Sequence, residues 1–165
     1  MTDRMTTTRF RTATSTAATL TTGLLAGSFY VFACGVMPGL GRSSDEVYVE
    51  VMRNINEVIQ NPVFLLSFLG APVLTGVAAW QLRGAPGRRW VWAALAANVL
   101  AFLVTVVINI PLNDALMEAG DPAVLREEFE GAWVGWNVAR GVLSTVGLGC
   151  LAWGLVRQPA GDRTA

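Results

Sequence analysis

The stretch VWAALAANVLAFLVTVVI, Val91 to Ile108, runs straight into NIPLND, Asn109 to Asp114. From Leu95 to Ile108 its only polar side chains are Asn98 and Thr105. A helix of a water-soluble bundle carries polar residues along the face it turns to solvent. This segment has no such face. It is long enough to cross a bilayer, because about 20 apolar residues rising ~1.5 Å each span ~30 Å of hydrocarbon. Three other blocks have the same character, Ala17 to Met37, Pro62 to Leu82 and Trp133 to Val156, and with Trp90 to Ile110 they give four spans. The 165 residues are 53% hydrophobic and 15% charged, against roughly 25% charged in an ordinary soluble domain. We read an all-α, polytopic membrane four-helix bundle, one domain over 17–156. A disordered tail precedes it at 1–16 and a short tail follows at 157–165.

The arginines orient the bundle, since the chain has no lysine. Arg4, Arg9, Arg11, Arg83, Arg88, Arg89, Arg157 and Arg163 fall on one side, accompanied only by Asp3 and Asp162. The other side has Arg42, Arg53, Arg126 and Arg140 with the remaining ten carboxylates. The formal net charge of zero thus hides two faces of opposite sign. Positive charge marks the cytoplasmic side, which predicts a cell-membrane protein with both termini inside and both long loops outside. Tryptophans near both ends of the spans fit an interfacial belt. The basic start followed by an apolar run superficially resembles a signal sequence, but that run is long for a signal core, and it is read as a retained first helix.

Cys34 and Cys150 lie at depths differing by roughly 15–20 Å, counted along their helices, so they are expected to stay unpaired. The chain has no histidine, which removes the usual ligand of haem, copper and zinc sites, and no CxxC spacing. No cofactor is expected. Nothing in the charge pattern suggests nucleic acid; the expected partner is the lipid bilayer.

Two loops break the hydrocarbon. In EVYVEVMRNINEVIQN, Val47, Val51, Ile55 and Val58 recur at helical spacing, and Glu50, Asn54, Glu57 and Asn61 form a second stripe. This predicts an amphipathic helix lying on the outer membrane surface and turning at Asn61-Pro62 into the second span. In the second loop Asp121-Pro122 should start a short helix, and Pro111 should stop the third span, having no N–H to continue it.

The polar residues then converge. Asn54, Glu57 and Asn61 precede the second span, Asn109, Asn113 and Asp114 end the third, and Trp136, Asn137 and Arg140 open the fourth. All arrive at the outer end of the bundle. Arg140 sits about one and a half turns inside, where a charge costs energy and usually finds a partner; Glu57 and Asp114 are the expected ones. One reading is a polar clamp that fixes helix register. The other is a small-molecule pocket in which Arg140 stabilises an anion and a carboxylate takes a proton.

NINEVIQNPVF (54–64), NIPLND (109–114) and WVGWNVAR (133–140) together resemble the motifs of the anthrone oxygenase-like family, small four-helix membrane proteins of largely unknown function. The resemblance extends over about 17–156. It implies oxidation of a lipophilic aromatic, polyketide-like substrate by molecular oxygen with no metal or flavin, as a monooxygenase. For that chemistry the converging residues offer Arg140 as countercharge and Glu57 or Asp114 as base for the catalytic roles, and Asn54, Asn61, Asn109, Asn113, Trp136 and Asn137 as substrate-binding candidates. Many members have histidine directly after the WN, where this chain has Val138. The alternative is a non-catalytic membrane protein that binds a lipophile or a partner through the same rim.

Overall fold

The computed structural model describes residues 2–157 in their backbone and 6–157 also in their side chains. Its helices are α1 (Thr2–Val31), α2 (Met37–Leu40), α3 (Asp45–Val58), α4 (Pro62–Gln81), α5 (Arg88–Val104), α6 (Ile110–Leu116) and α7 (Pro122–Val156). Two π turns, Phe32–Val36 and Thr105–Asn109, join α1 to α2 and α5 to α6 without a break. Four helical runs are therefore long and apolar enough to cross a membrane: Thr6–Leu40, Pro62–Gln81, Arg88–Leu116 and Pro122–Val156. The fold is the expected all-α membrane four-helix bundle, and the chain reads as a multi-pass membrane protein. Each run is antiparallel to both neighbours, because α1 packs on α4 and α7, and α5 packs on α7 and α4.

At the end where the link between α4 and α5 turns, the core is Ala18, Ala78, Ala79, Leu82, Val91, Ala94 and Leu151, mostly small side chains. Without a hydrophobic drive between helices in lipid, such residues let backbones touch and gain dispersion contacts. Gly87 caps α5 at φ 84°, a conformation that penalises any side chain, and a Cβ there would lie 2.8 Å from the Gly154 carbonyl oxygen. The outward faces are apolar, with Leu20, Leu66, Leu103, Val107 and Val142 all exposed, as lipid contact requires.

Several expectations are corrected. The segment 1–16 was expected to be disordered, but α1 runs from Thr2. Its hydroxyls bond back one turn, Thr12 to the Thr8 carbonyl and Thr14 to that of Phe10, and Thr14 and Ser15 are buried. Gln81 Nε2 donates to Thr14 Oγ1 at 3.4 Å, tying this extension to α4. The tail expected beyond residue 157 lies outside the described residues. Pro111 does not stop the third span. The Ile110 N–H reaches back five residues to the Thr105 carbonyl, and the widened turn makes room for a proline ring that would clash in a regular helix. The second loop shrinks to a short break after Met117, and Asp121 caps one continuous helix through its Oδ1, which accepts from Ala123 and Val124 N–H.

The amphipathic helix exists as α3, capped by Ser44. Its buried face is not the valine stripe, however, since Val47 and Val58 are exposed. Tyr48, Val49 and Met52 turn inward and pack with Met37, Leu116, Phe129 and Trp133. The helix lies on the end of the bundle, over α6 and α7, because the larger side chains cover more apolar area than the valines. Two arginines pin it. Arg126 on α7 donates to the Gly41 and Ser43 carbonyls and to Asp45 (2.9 Å) and Glu130 (2.7 Å), with its guanidinium 4.6 Å from the Tyr48 ring centre. Arg53 on α3 donates to the Leu116 and Glu118 carbonyls, capping the end of α6.

Candidate functional site

Beneath α3 the four helices spread and leave a cavity of about 300 Å³. That is the lower end of the usual range for small-molecule sites, roughly 300–1,000 Å³. Five aromatic side chains line it: Phe29 and Phe32 from α1 and its π turn, Phe64 and Phe68 from α4, Trp133 from α7. Phe68 packs on Phe102 at 5.1 Å between ring centres and Phe32 on Trp133 at 5.8 Å, so the rings brace one another. Ile55 and Asn56 from α3 and Ile59 and Gln60 just after it form the roof, with Asn113 and Asp114 of α6 at the mouth.

Arg140 marks the deep end. It is only 5% exposed. Its Nη1 donates to Thr105 Oγ1 and its Nη2 to Asn137 Oδ1, both at 3.3 Å, while Nε has no partner. The guanidinium lies 4.5 Å from the Phe29 ring centre and 5.6 Å from that of Trp133. No carboxylate pairs with it; the ion pairs among the described residues belong to Arg126. Asn137 also donates to the Phe29 carbonyl at 3.1 Å, which holds its Oδ1 toward Arg140. Trp133 Nε1 donates to Asn113 Oδ1 at 2.8 Å, fixing the indole against the cavity. The site therefore presents a fixed cation, backed by neutral acceptors and ring faces, to an apolar slot.

The structure brings together Arg140, Asn137, Asn113 and Asp114 of the sequence-predicted set. It separates the others. Glu57 and Asn54 are exposed on the outer face of α3. Asn61 caps α4, its Oδ1 accepting from Val63 and Phe64 N–H at 3.0 Å, so its side chain is committed locally. Trp136 is 41% exposed and faces away. Asn109 is buried behind the wall, with neither end of its amide bonded. Contrary to expectation, neither Glu57 nor Asp114 pairs with Arg140. The residues missed are Gln60 and the phenylalanines; Asn56 and Thr105 stand in the polar convergence of the sequence but not among its candidate binding residues. Asn56 follows Tyr48 and Met52 at four-residue steps, the signal that would have placed it inward.

Residues 62–150 match the anthrone oxygenase family. The chain belongs to that family. No curated protein and no solved structure matches it. The matched span contains Arg140, Asn137, Asn113 and Asp114, whereas the roof on α3 precedes it. Val138, which directly follows Asn137, is 45% exposed and does not line the cavity.

Proposed function

We propose that the chain is a cofactor-independent oxygenase acting on a lipophilic, ionisable aromatic substrate drawn from the bilayer, with molecular oxygen as co-reactant. The observation that carries this reading is Arg140, a buried guanidinium without a carboxylate at the end of an aromatic cavity. Charge in so apolar a place is best stabilised by an anion, and an aromatic enolate supplies one while its rings fill the slot. A substrate of the anthrone type has a ring CH₂ opposite a carbonyl. Asp114 takes one proton from that carbon, and the charge spreads to the carbonyl oxygen beside Arg140. The electron-rich anion passes an electron to O₂, and the resulting radical pair joins at the ring carbon as a hydroperoxide. Loss of water leaves a second carbonyl, so that CH₂ and O₂ become C=O and H₂O. Asn113 and Asn137 orient the rings and the cation; the fixed positive charge lowers the barrier to forming the anion.

Oxygen uptake by the purified protein in detergent, with anthrone added, tests the proposal. We expect consumption well above the protein-free rate, at one O₂ per anthrone, and a loss of about 10²-fold or more in Asp114→Asn, as for removal of a general base. Anthrone that binds without oxygen uptake would instead identify a non-catalytic lipophile-binding protein.

The proposal extends to placement: cell membrane, both termini cytoplasmic, and the cavity toward the outside. The arginine asymmetry supports this. Single cysteines in a background lacking Cys34 and Cys150 report it. Ala123→Cys, exposed at the start of α7, should react with an impermeant thiol reagent on intact cells. Gly84→Cys, where a side chain meets nothing within 4 Å, should not. Labelling at 84 from outside would invert the topology.

A further inference from the structure

The cavity has a second polar feature that the proposed chemistry does not use. Asn56 belongs to the roof and is only 6% exposed, yet its Nδ2 has no acceptor within the protein. Gln60 Nε2 donates to the Asn56 backbone carbonyl at 3.1 Å and leaves this side-chain donor free. A buried amide with unmade hydrogen bonds costs stability that leucine at the same position would not. Leucine also suits the surroundings, since Ile55 and Ile59 on the same roof are apolar. The position is held on a helix pinned at two points, by Arg126 at its start and through Arg53 in its middle, so the amide has a fixed aim. Arg140 is on α7 at the deep end and Asn56 on α3 at the roof; the aromatic wall lies between them.

We infer that Asn56 is a specificity-determining residue, the second pole of a two-pole site. The ligand is an aromatic carrying one ionisable oxygen for Arg140 and a second oxygen acceptor, carbonyl or hydroxyl, at the opposite edge of its ring system for Asn56. This rests on the reading of the cavity as a ligand site. Selection follows from the cost of leaving a site's polar group unpaired: a ligand lacking the distal oxygen fills the slot but leaves the Asn56 amide without a partner. An oxygen on the wrong edge does the same and also places a hydroxyl against phenylalanine.

Two stable, fluorescent probes separate the poles. 2-Naphthol has one oxygen, and 2,6-dihydroxynaphthalene adds a second at the far edge. Binding of both is measured on the wild type, Asn56→Leu and Arg140→Gln in detergent, with thermal unfolding alongside. We expect the wild type to prefer the dihydroxy probe by roughly tenfold, one net hydrogen bond. Asn56→Leu should erase that preference, bind 2-naphthol no more weakly and melt no lower than the wild type. Arg140→Gln should weaken both probes alike. If Asn56→Leu keeps the tenfold preference, or if the wild type shows none, the second pole is overturned while the cavity reading stands. If neither probe binds the wild type, the cavity reading fails and this inference with it. A lower melting temperature in Asn56→Leu with unchanged discrimination would make the amide a structural element and overturn the assignment.

Discussion

Replacing Arg140 with methionine is expected to reduce oxygen uptake and anion binding by 10²-fold or more while leaving the melting temperature unchanged or higher. Loss of one preorganised stabilising group costs about 10²–10³ in rate. The stability side runs the other way. A guanidinium near mid-membrane costs at least ~2.5 kcal/mol, less toward the interface. Here that cost is offset only by two 3.3 Å hydrogen bonds to neutral oxygens and two ring faces. Methionine is unbranched and packs well against Phe29 and Trp133. A polar clamp predicts the opposite pattern, because removing its central donor would strand Thr105 and Asn137 and lower the melting temperature. Uptake and thermal unfolding on the same preparation decide between the two.

The largest effect on stability is expected from Arg126→Met, a loss of about 3 kcal/mol, comparable to one or two charge-assisted hydrogen bonds after relaxation. Arg126 joins four acceptors on the loop, α3 and α7 and covers the Tyr48 ring. Arg53 anchors a later point of α3, so the helix would swing about that anchor and uncover Tyr48, Met52 and the cavity roof. Tyr48 has no partner for its hydroxyl, and burial, with Glu130 adding, pushes its ionisation well above the usual phenol range. A clean report is therefore early proteolysis between Gly41 and Ser44 together with weaker ligand binding. Arg126→Lys should restore only part of the loss, since a single ammonium cannot reproduce the planar fork that reaches both carboxylates. Wild-type melting in Arg126→Met would show that α3 is held by its apolar face alone.

Much of this was legible in the sequence, for physical reasons that also explain the misses. A span announces itself by the absence of a polar face, so all four were visible, and Arg140 stood out because charge is expensive in hydrocarbon. The ends of the spans were not visible. Polar residues at a membrane end satisfy equally a cap, a loop or one more helical turn, and 6–16 is helical despite its composition, its Thr12 and Thr14 hydroxyls satisfied by carbonyls one turn back. The α3 face was misassigned because its valines and its larger Tyr48–Met52–Asn56 face both have helical spacing. Spacing tells which residues share a face, but the neighbour decides which face is buried. Asn61 was misread for a similar reason: an asparagine before Pro-Val-Phe serves α4 as a cap, and a side chain spent on two backbone N–H groups is not free to bind a ligand.

The π turn at Thr105–Asn109 has a consequence for the phase of everything after it. A π turn amounts to an α-helix with one residue too many, and each residue of an α-helix advances the direction of its side chains by about 100°. Were the run regular, Asn113 and Asp114 would point about a quarter of a turn away from where they now stand, out of the cavity and into lipid. Pro111, two positions on, discourages the regular form. The surplus residue thus acts as an angular offset between the half of the helix that builds the membrane core and the half that faces the ligand, and a one-residue deletion here would change the chemistry of the mouth without altering a single one of its side chains.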